Sequence, residues 1–451
     1  MRPPVLLLLL AMATTALAAP DKSPPLSPRR TKSLEAELLR AVRATDFTQV
    51  RDFRRKGERI AHPPNVDVAV IELDGDGRPI AAANVLLSRD YPKGKAVPID
   101  RKTLGTTAVR FTRWDLERWD GKKGWGDAPE EEDLVPGRTG AKLRFMAPYP
   151  ASLFKVLIAY RVLKQVDRGA LTLDTPFRFI RGTVDKGERP VRDWVEPMIV
   201  ASDNTATEAL IKLLHERKWM EGLNEELAAL GLGTLQVNGT SPVTGRDWHP
   251  GNIHLTALDT ARLFLLINGG PGVLWRTPKG RAVTAGELSE SSRAFLKRLL
   301  AEQGLEEGLS STLVCGDEHA RPGIPAAVPA RWLAEDGTAT VGETAFGRDT
   351  RPCNTAAEVE YLHKTGLTEN YGSDAGLVRA LPGKAPRHYV IALLSNLGYR
   401  YYDEGVADTA DFTDEENGFP GLKTNLSYTQ TLAELGRRVD EAMKRRGEVR
   451  R

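Results

Sequence analysis

The sequence predicts an α+β fold: an antiparallel five-stranded sheet, terminal helices on one face, and a helical subdomain on the other. Three observations carry this. A strand hairpin stands early, Val66 to Leu73 and Ile80 to Leu87, across the turn Asp74-Gly75-Asp76-Gly77. Three strand-like runs return only late, Val359 to Lys364, Gly376 to Ala380 and Tyr389 to Leu397, after a long series of helical stretches. Apolar residues repeat at helical spacing near both ends, at Leu34, Leu38, Leu39 and Val42 and at Leu432, Leu435, Val439 and Met443. Strands grouped apart from helices favour one antiparallel sheet over βαβ units.

In chain order, Arg2 precedes the apolar run Val5 to Met12, and Ala16-Leu17-Ala18 supplies small residues at a cleavage position. Residues 1–18 therefore read as a secretory signal peptide, too short for a membrane span; the alternative is an uncleaved anchor. Residues 19–33, rich in Pro, Ser, Lys and Arg, read as a flexible leader before the first helix, which closes a segment ending near 64. Residues 65–451 read as one catalytic domain with insertions near 88–142 and 301–355. The first is polar, carries Trp114, Trp119 and Trp125, and shows little periodicity. The second is rich in Gly, Pro and Ala.

Between them, Val156 to Leu163 is apolar almost all round and reads as a buried helix. Val195 to Leu214, Leu223 to Leu230, Leu255 to Ile267 and Leu288 to Leu300 are further helical stretches. A net charge of +3, from 63 basic and 60 acidic residues, gives no reason to expect a nucleic-acid or membrane partner. The two cysteines, Cys315 and Cys353, are either a disulfide stapling the second insertion or two free thiols. No spacing of His and Cys suggests a metal site, and no cofactor is expected.

The chemistry centres on Pro150-Ala151-Ser152-Leu153-Phe154-Lys155. Ser152 and Lys155 stand three apart at the start of the buried helix and share one face. Burial lowers a lysine pKa, so Lys155 can act as a base beside a serine nucleophile. Ser-x-x-Lys alone arises by chance about once in a chain of this length. It is followed, in order, by Ser202-Asp203-Asn204 and Lys364-Thr365-Gly366. Each of these has a plainer reading: Ser202 and Asp203 as a helix cap, Lys364 as a solvated strand end. The three together are the known set of penicillin-recognising serine enzymes.

The chain resembles the class A β-lactamase family in these motifs and their flanks, Tyr149 to Lys155, Met198 to Ala206 and His363 to Gly366. The resemblance covers roughly 65–88, 145–300 and 356–445. It implies a β-lactamase/D,D-peptidase-like fold. It implies Ser152 as the acylated nucleophile, Lys155 as its base or the base's partner, and Ser202 passing a proton to the leaving nitrogen beside Lys364. Asn204 would bind a side-chain amide, Lys364 and Thr365 a carboxylate. The N–H groups of Ser152 and Leu367, past Gly366, would form an oxyanion hole.

The chain departs from the family in one place. A loop glutamate that activates the deacylating water has no counterpart, since no glutamate occurs from Leu227 to Gly286. In the matching loop, 239–252, the one carboxylate is Asp247; His249 is a second candidate base. The expected function is that of a secreted or periplasmic, monomeric serine hydrolase opening β-lactam amides. The alternatives are a D,D-peptidase or penicillin-binding protein acting on peptidoglycan stem peptides, and a non-hydrolytic penicillin-binding sensor.

Overall fold

A computed structural model describes residues 26–124, 128–404 and 428–449, with the backbone of 413–414 and 419–420. The expected signal peptide, 1–18, and Trp125 lie outside the described residues.

One sheet divides the molecule. Its strands are β1 (Val66–Leu73), β2 (Pro79–Leu87), β3 (Lys95–Ala96), β4 (Val359–Leu367), β5 (Gly372–Ala380) and β6 (His388–Ser395). They run antiparallel in the order β4-β5-β6-β1-β2-β3. The five expected strands are present. The correction is a sixth, the two-residue β3, which pairs with Val85 and Leu86 at the edge. Two residues inside a polar stretch carry no alternation that could announce a strand.

The central strand shows why the sheet is covered on both sides. All eight residues of β1 are buried. Val66, Val68 and Val70 enter one core; Ala69, Ile71 and Leu73 enter another. A strand alternates its side chains between faces, so a strand buried along its whole length needs a partner on each side. On the first face lie α1 (Pro28–Ala44), through Leu34, Leu38 and Val42, and the C-terminal α7 (Gln430–Glu448), through Leu432, Leu435, Val439 and Met443. On the second lie α2 (Lys155–Asp167), α3 (Arg192–Val200), α4 (Asn204–Glu216), α5 (Ala257–Asn268) and α6 (Glu290–Ala301). α1 begins within the stretch expected as leader: Ser27 caps it and Pro28 occupies its first position.

Both insertions hold more order than their composition suggests. In the first, Val109–Thr112 pairs in parallel with Leu143–Met146. Val109, Phe111, Leu134, Leu143 and Phe145 make a small core with Leu86 and Val97. In the second, a hairpin of Ala339–Val341 and Thr344–Phe346 packs with Leu313 and Val328. Cys315 and Cys353 are disulfide-bonded across a separation of 38 residues. Closing a loop of that length contributes about 4 kcal/mol in the chain-entropy picture. Replacing both cysteines by serine should lower stability by an amount of that order in thermal unfolding; an unchanged melting temperature would mean that packing alone holds the segment.

Candidate active site

Ser152 lies on a tight turn, Ala151–Phe154, that runs straight into α2. Ala151 adopts φ 47°, a left-handed conformation unusual for a side-chain-bearing residue. Lys155 opens α2 and is fully buried, because that helix is wrapped by α3, α4 and α6. Ser152 is half-buried, and its hydroxyl makes no hydrogen bond among the described residues. It is free to turn toward a ligand.

α3 ends at Val200, and the chain turns through Ser202 at φ 60° before α4 begins. Asp203 caps α4, its carboxylate accepting from the Ala206 N–H at 2.6 Å. The capping reading thus holds for Asp203, while Ser202 faces elsewhere. The Ser202 hydroxyl accepts from Lys364 Nζ at 2.9 Å and from Lys155 Nζ at 3.2 Å. Lys155 also donates to the Ser202 carbonyl, and to Asn204 Oδ1 at 2.8 Å. Lys364 donates in addition to the Thr365 carbonyl at 2.8 Å.

Two buried lysines on one hydroxyl cannot both hold a proton cheaply. Burial pulls Lys155 down to about 7, against the pull of Asp203 in the other direction. Burial and the neighbouring Lys155 push Lys364 well below its ordinary value, with Asp374 opposing. Near neutral pH the pair therefore holds a free amine able to accept a proton, and Ser202 joins the two amines.

The strand β4 presses against the turn that carries Ser152. A Cβ placed on Gly366 would lie 2.3 Å from the Pro150 carbonyl oxygen and 2.7 Å from the Leu153 nitrogen. Only glycine lets strand and turn approach this closely. Gly366→Ala should destabilise the fold by about 1–3 kcal/mol and displace Lys364 from Ser202. Thermal unfolding together with the rate of acylation by a β-lactam measures both effects. Thr365 is 2% exposed, and its hydroxyl lies at the Tyr428 phenol on the other side of the strand. Leu367 ends β4, paired with Gly372.

Beneath Lys364, on the opposite face of β4, His363 is fully buried between two buried carboxylates. Its Nδ1 is 2.8 Å from Asp374 Oδ1. Its Nε2 is 3.2 Å from Glu306 Oε1 but not aligned for a hydrogen bond. Burial lowers the imidazole, yet Glu306 and Asp374 outweigh it and hold it up at about 10. Asp374 also accepts from the Leu309 N–H at 2.9 Å. The second insertion thus grips β4 from behind. It grips α3 as well: Gln303 Nε2 donates to the Ile199 carbonyl at 2.8 Å, and the Gly304 N–H to the Val200 carbonyl at 3.0 Å. Those carbonyls end a helix and have no partner within it.

The loop 239–252 packs beside the Ser152 turn. Tyr149 donates its phenol to the Trp248 carbonyl at 2.8 Å, and Trp248 lies against Phe154 with ring centroids 5.7 Å apart. Gly245 sits on α4, where a Cβ would come within 2.1 Å of the Glu208 carbonyl oxygen. The buried Glu208 carboxylate holds Arg246 at 3.3 Å and Arg181 at 2.9 Å. Asp247 is exposed, and its carboxylate makes no hydrogen bond among the described residues; its carbonyl accepts from Asn252. His249 is also exposed and is engaged by the Pro250 carbonyl and the Asn252 amide.

The family model described as "Beta-lactamase enzyme family" matches residues 147–411, a stretch that contains all three motifs. The chain belongs to the β-lactamase enzyme family. No curated protein matches it. Among solved structures it is similar to PBP-A at 17% identity and TM-score 0.45, covering 94% of this chain and 99% of that one. It is similar to a β-lactamase from Xanthomonas campestris at 14% identity and TM-score 0.42, covering 92% and 97%. It is also similar to an ancestral class A β-lactamase at 20% identity and TM-score 0.37, covering 66% and 85%. At these values no residue role transfers from them.

As a member of the β-lactamase enzyme family, the protein brings Ser202, Lys155, Lys364 and Asn204 into one hydrogen-bonded group and sets Gly366 against the Ser152 turn. It does not bring Asp247 into a bonded cluster. Sequence reasoning missed Glu306, Asp374, Glu208 and Arg246, and treated His363 only as a flank of its motif. Carboxylates and guanidinium groups far apart in the chain carry no local pattern; only the glycines at 245 and 366 hint at close approach.

Proposed function

We propose that the protein is a serine β-lactamase-like hydrolase that opens β-lactam amides through an acyl-enzyme on Ser152. One observation carries this: Lys155, three residues after Ser152, and Lys364, both fully buried, meet on the Ser202 hydroxyl. The Ser152 oxygen attacks the lactam carbonyl and loses its proton to the neutral amine of Lys155. The C–N bond breaks, and the leaving nitrogen takes a proton through Ser202 and Lys364. In this reading Asn204 meets a side-chain amide and Lys364 a carboxylate. The N–H groups of Ser152 and Leu367 are the oxyanion donors in this reading.

The exposed, unengaged Asp247 supports slow deacylation, because turnover needs a base held against water at the ester. The same observation favours a second reading, a D,D-peptidase or penicillin-binding protein that acts on peptidoglycan stem peptides. Mass spectrometry of the intact protein during nitrocefin turnover separates the readings. An adduct that forms and clears supports the first. An adduct that persists for hours supports the second, and no adduct at all removes both.

An exported location accords with the Cys315–Cys353 disulfide, which persists in oxidising compartments. Among the described residues no helix is long and apolar enough to cross a membrane. Residues 1–18 are the proposed export signal, and the protein is proposed to act as a monomer without metal or cofactor.

A further inference from the structure

Residues 303–309 open the second insertion just after α6 and form no helix or strand. Connecting segments normally run over the surface. This one runs inside: Leu305 alone is half-buried, and Gln303, Glu306 and Glu307 are buried with the rest. Two consecutive buried glutamates cost stability that apolar residues in their place would not. Both carboxylates face the strand that carries Lys364 or its neighbours. Glu306 Oε1 is 3.2 Å from His363 Nε2, and Glu307 raises the phenol of Tyr428, the group that meets the Thr365 hydroxyl.

The segment touches both sides of the Ser202–Lys364 contact. At one end Gln303 and Gly304 hold the carbonyls of Ile199 and Val200, three and two residues before Ser202. Three residues after Gln303, Glu306 faces His363, the chain neighbour of Lys364. Gly308 then lies so close to β5 that a Cβ would come within 2.9 Å of Asp374 Oδ2, the oxygen that accepts from the Leu309 N–H. Asp374 holds the other side of the His363 ring, which also stacks on Tyr361 with centroids 4.1 Å apart. The segment is itself braced. Gln303 Oε1 accepts from the Leu305 N–H at 3.2 Å, and the Glu306 carbonyl from the Leu313 N–H at 3.1 Å. Ser202 and Lys364 stand 162 residues apart in the chain, yet this short piece is bonded next to both.

We propose that residues 303–309 are a spacer that sets the distance between Ser202 and Lys364, with Gln303 and Glu306 as positioning residues for proton transfer to the leaving nitrogen. This rests on the reading of Ser202 and Lys364 as that proton path. Such a path tolerates little displacement: about 1 Å costs on the order of 10²-fold in rate.

Two substitutions cut the spacer at its two ends while keeping side-chain size. Gln303→Met removes the donor to α3, and Glu306→Gln removes the charge against His363. Each should lower the acylation rate with a β-lactam by about 10–10²-fold. Either cut releases the same contact, so the double variant should be little slower than the slower single one; independent local damage would multiply instead. A second readout needs no substrate. Lysine 13Cε shifts followed against pH report the Lys364 amine, assigned by its loss in Lys364→Ala. Lys155 holds that amine down, so in either variant Lys364 should titrate at higher pH as the two move apart. Val109→Ala loosens the small core of the first insertion and controls for lost stability: it should lower the melting temperature and leave both readouts unchanged. Wild-type rates and titrations in both variants overturn the proposal. So do costs that multiply in the double variant, or an equal loss in Val109→Ala. A wild-type chain that forms no adduct removes the acylation reading, and the lysine titration then decides the spacer by itself.

Discussion

Ser152→Ala removes the covalent adduct with a β-lactam altogether, and turnover falls by on the order of 10⁴-fold or more. The hydroxyl is the one group at this turn that can bond to the lactam carbonyl in the proposed reaction. The buried lysines lie behind it, engaged with Ser202 and Asn204. The substitution should leave the fold intact. Ser152 is half-buried on the turn, and its hydroxyl holds no hydrogen bond among the described residues whose loss would cost stability. Intact-protein mass spectrometry, with thermal unfolding on the same sample, reads both outcomes. A variant that still gains the mass of the β-lactam would remove Ser152 from its role.

Lys155→Met lowers acylation by about 10²–10⁴-fold, the range for loss of a positioned general base. The wild-type acylation rate should rise with pH through about 7, the value to which burial pulls Lys155, and level off above it. The sign follows from the neutral amine being the base: below that pH it is protonated and cannot accept. A rate that stays flat from pH 5 to 9 would show that Lys155 is not the base. Stability gives an independent readout. Lys155 binds its proton more weakly folded than unfolded, so between about 7 and 10.5 it makes stability rise with pH. His363 is raised from 6.5 to about 10, so its contribution is complete below 6.5 and is lost as pH rises toward 10. The two oppose each other over most of that range. In Lys155→Met the imidazolium stands without that counterweight, and stability should fall more steeply with pH than in the wild type.

Much of the fold was legible in the sequence because its signals are local. The β1–β2 hairpin follows from two strand-like runs either side of the turn signal Asp74-Gly75-Asp76-Gly77, and β6 from a long apolar run. The terminal helices follow from the spacing of Leu34, Leu38 and Val42 and of Leu432, Leu435 and Val439. The parallel pair of Val109–Thr112 with Leu143–Met146 was not legible, since four-residue strands separated by thirty residues of polar chain leave no period to detect. The edge strand β3 was missed for the same reason.

The sequence by itself determined the three motifs, their order and the absence of a loop glutamate between Leu227 and Gly286. It also determined that Ser152 stands three residues before Lys155 at the start of an apolar run. The tertiary structure alone decided that Lys155 and Lys364 converge on one hydroxyl, that His363 is clasped by Glu306 and Asp374, and that Asp247 stays in solvent. The physical reason is the range of the forces involved. Helical faces and strand alternation are set by neighbours a few residues away. The protonation of a buried amine depends on every charge and dipole that the whole chain folds around it.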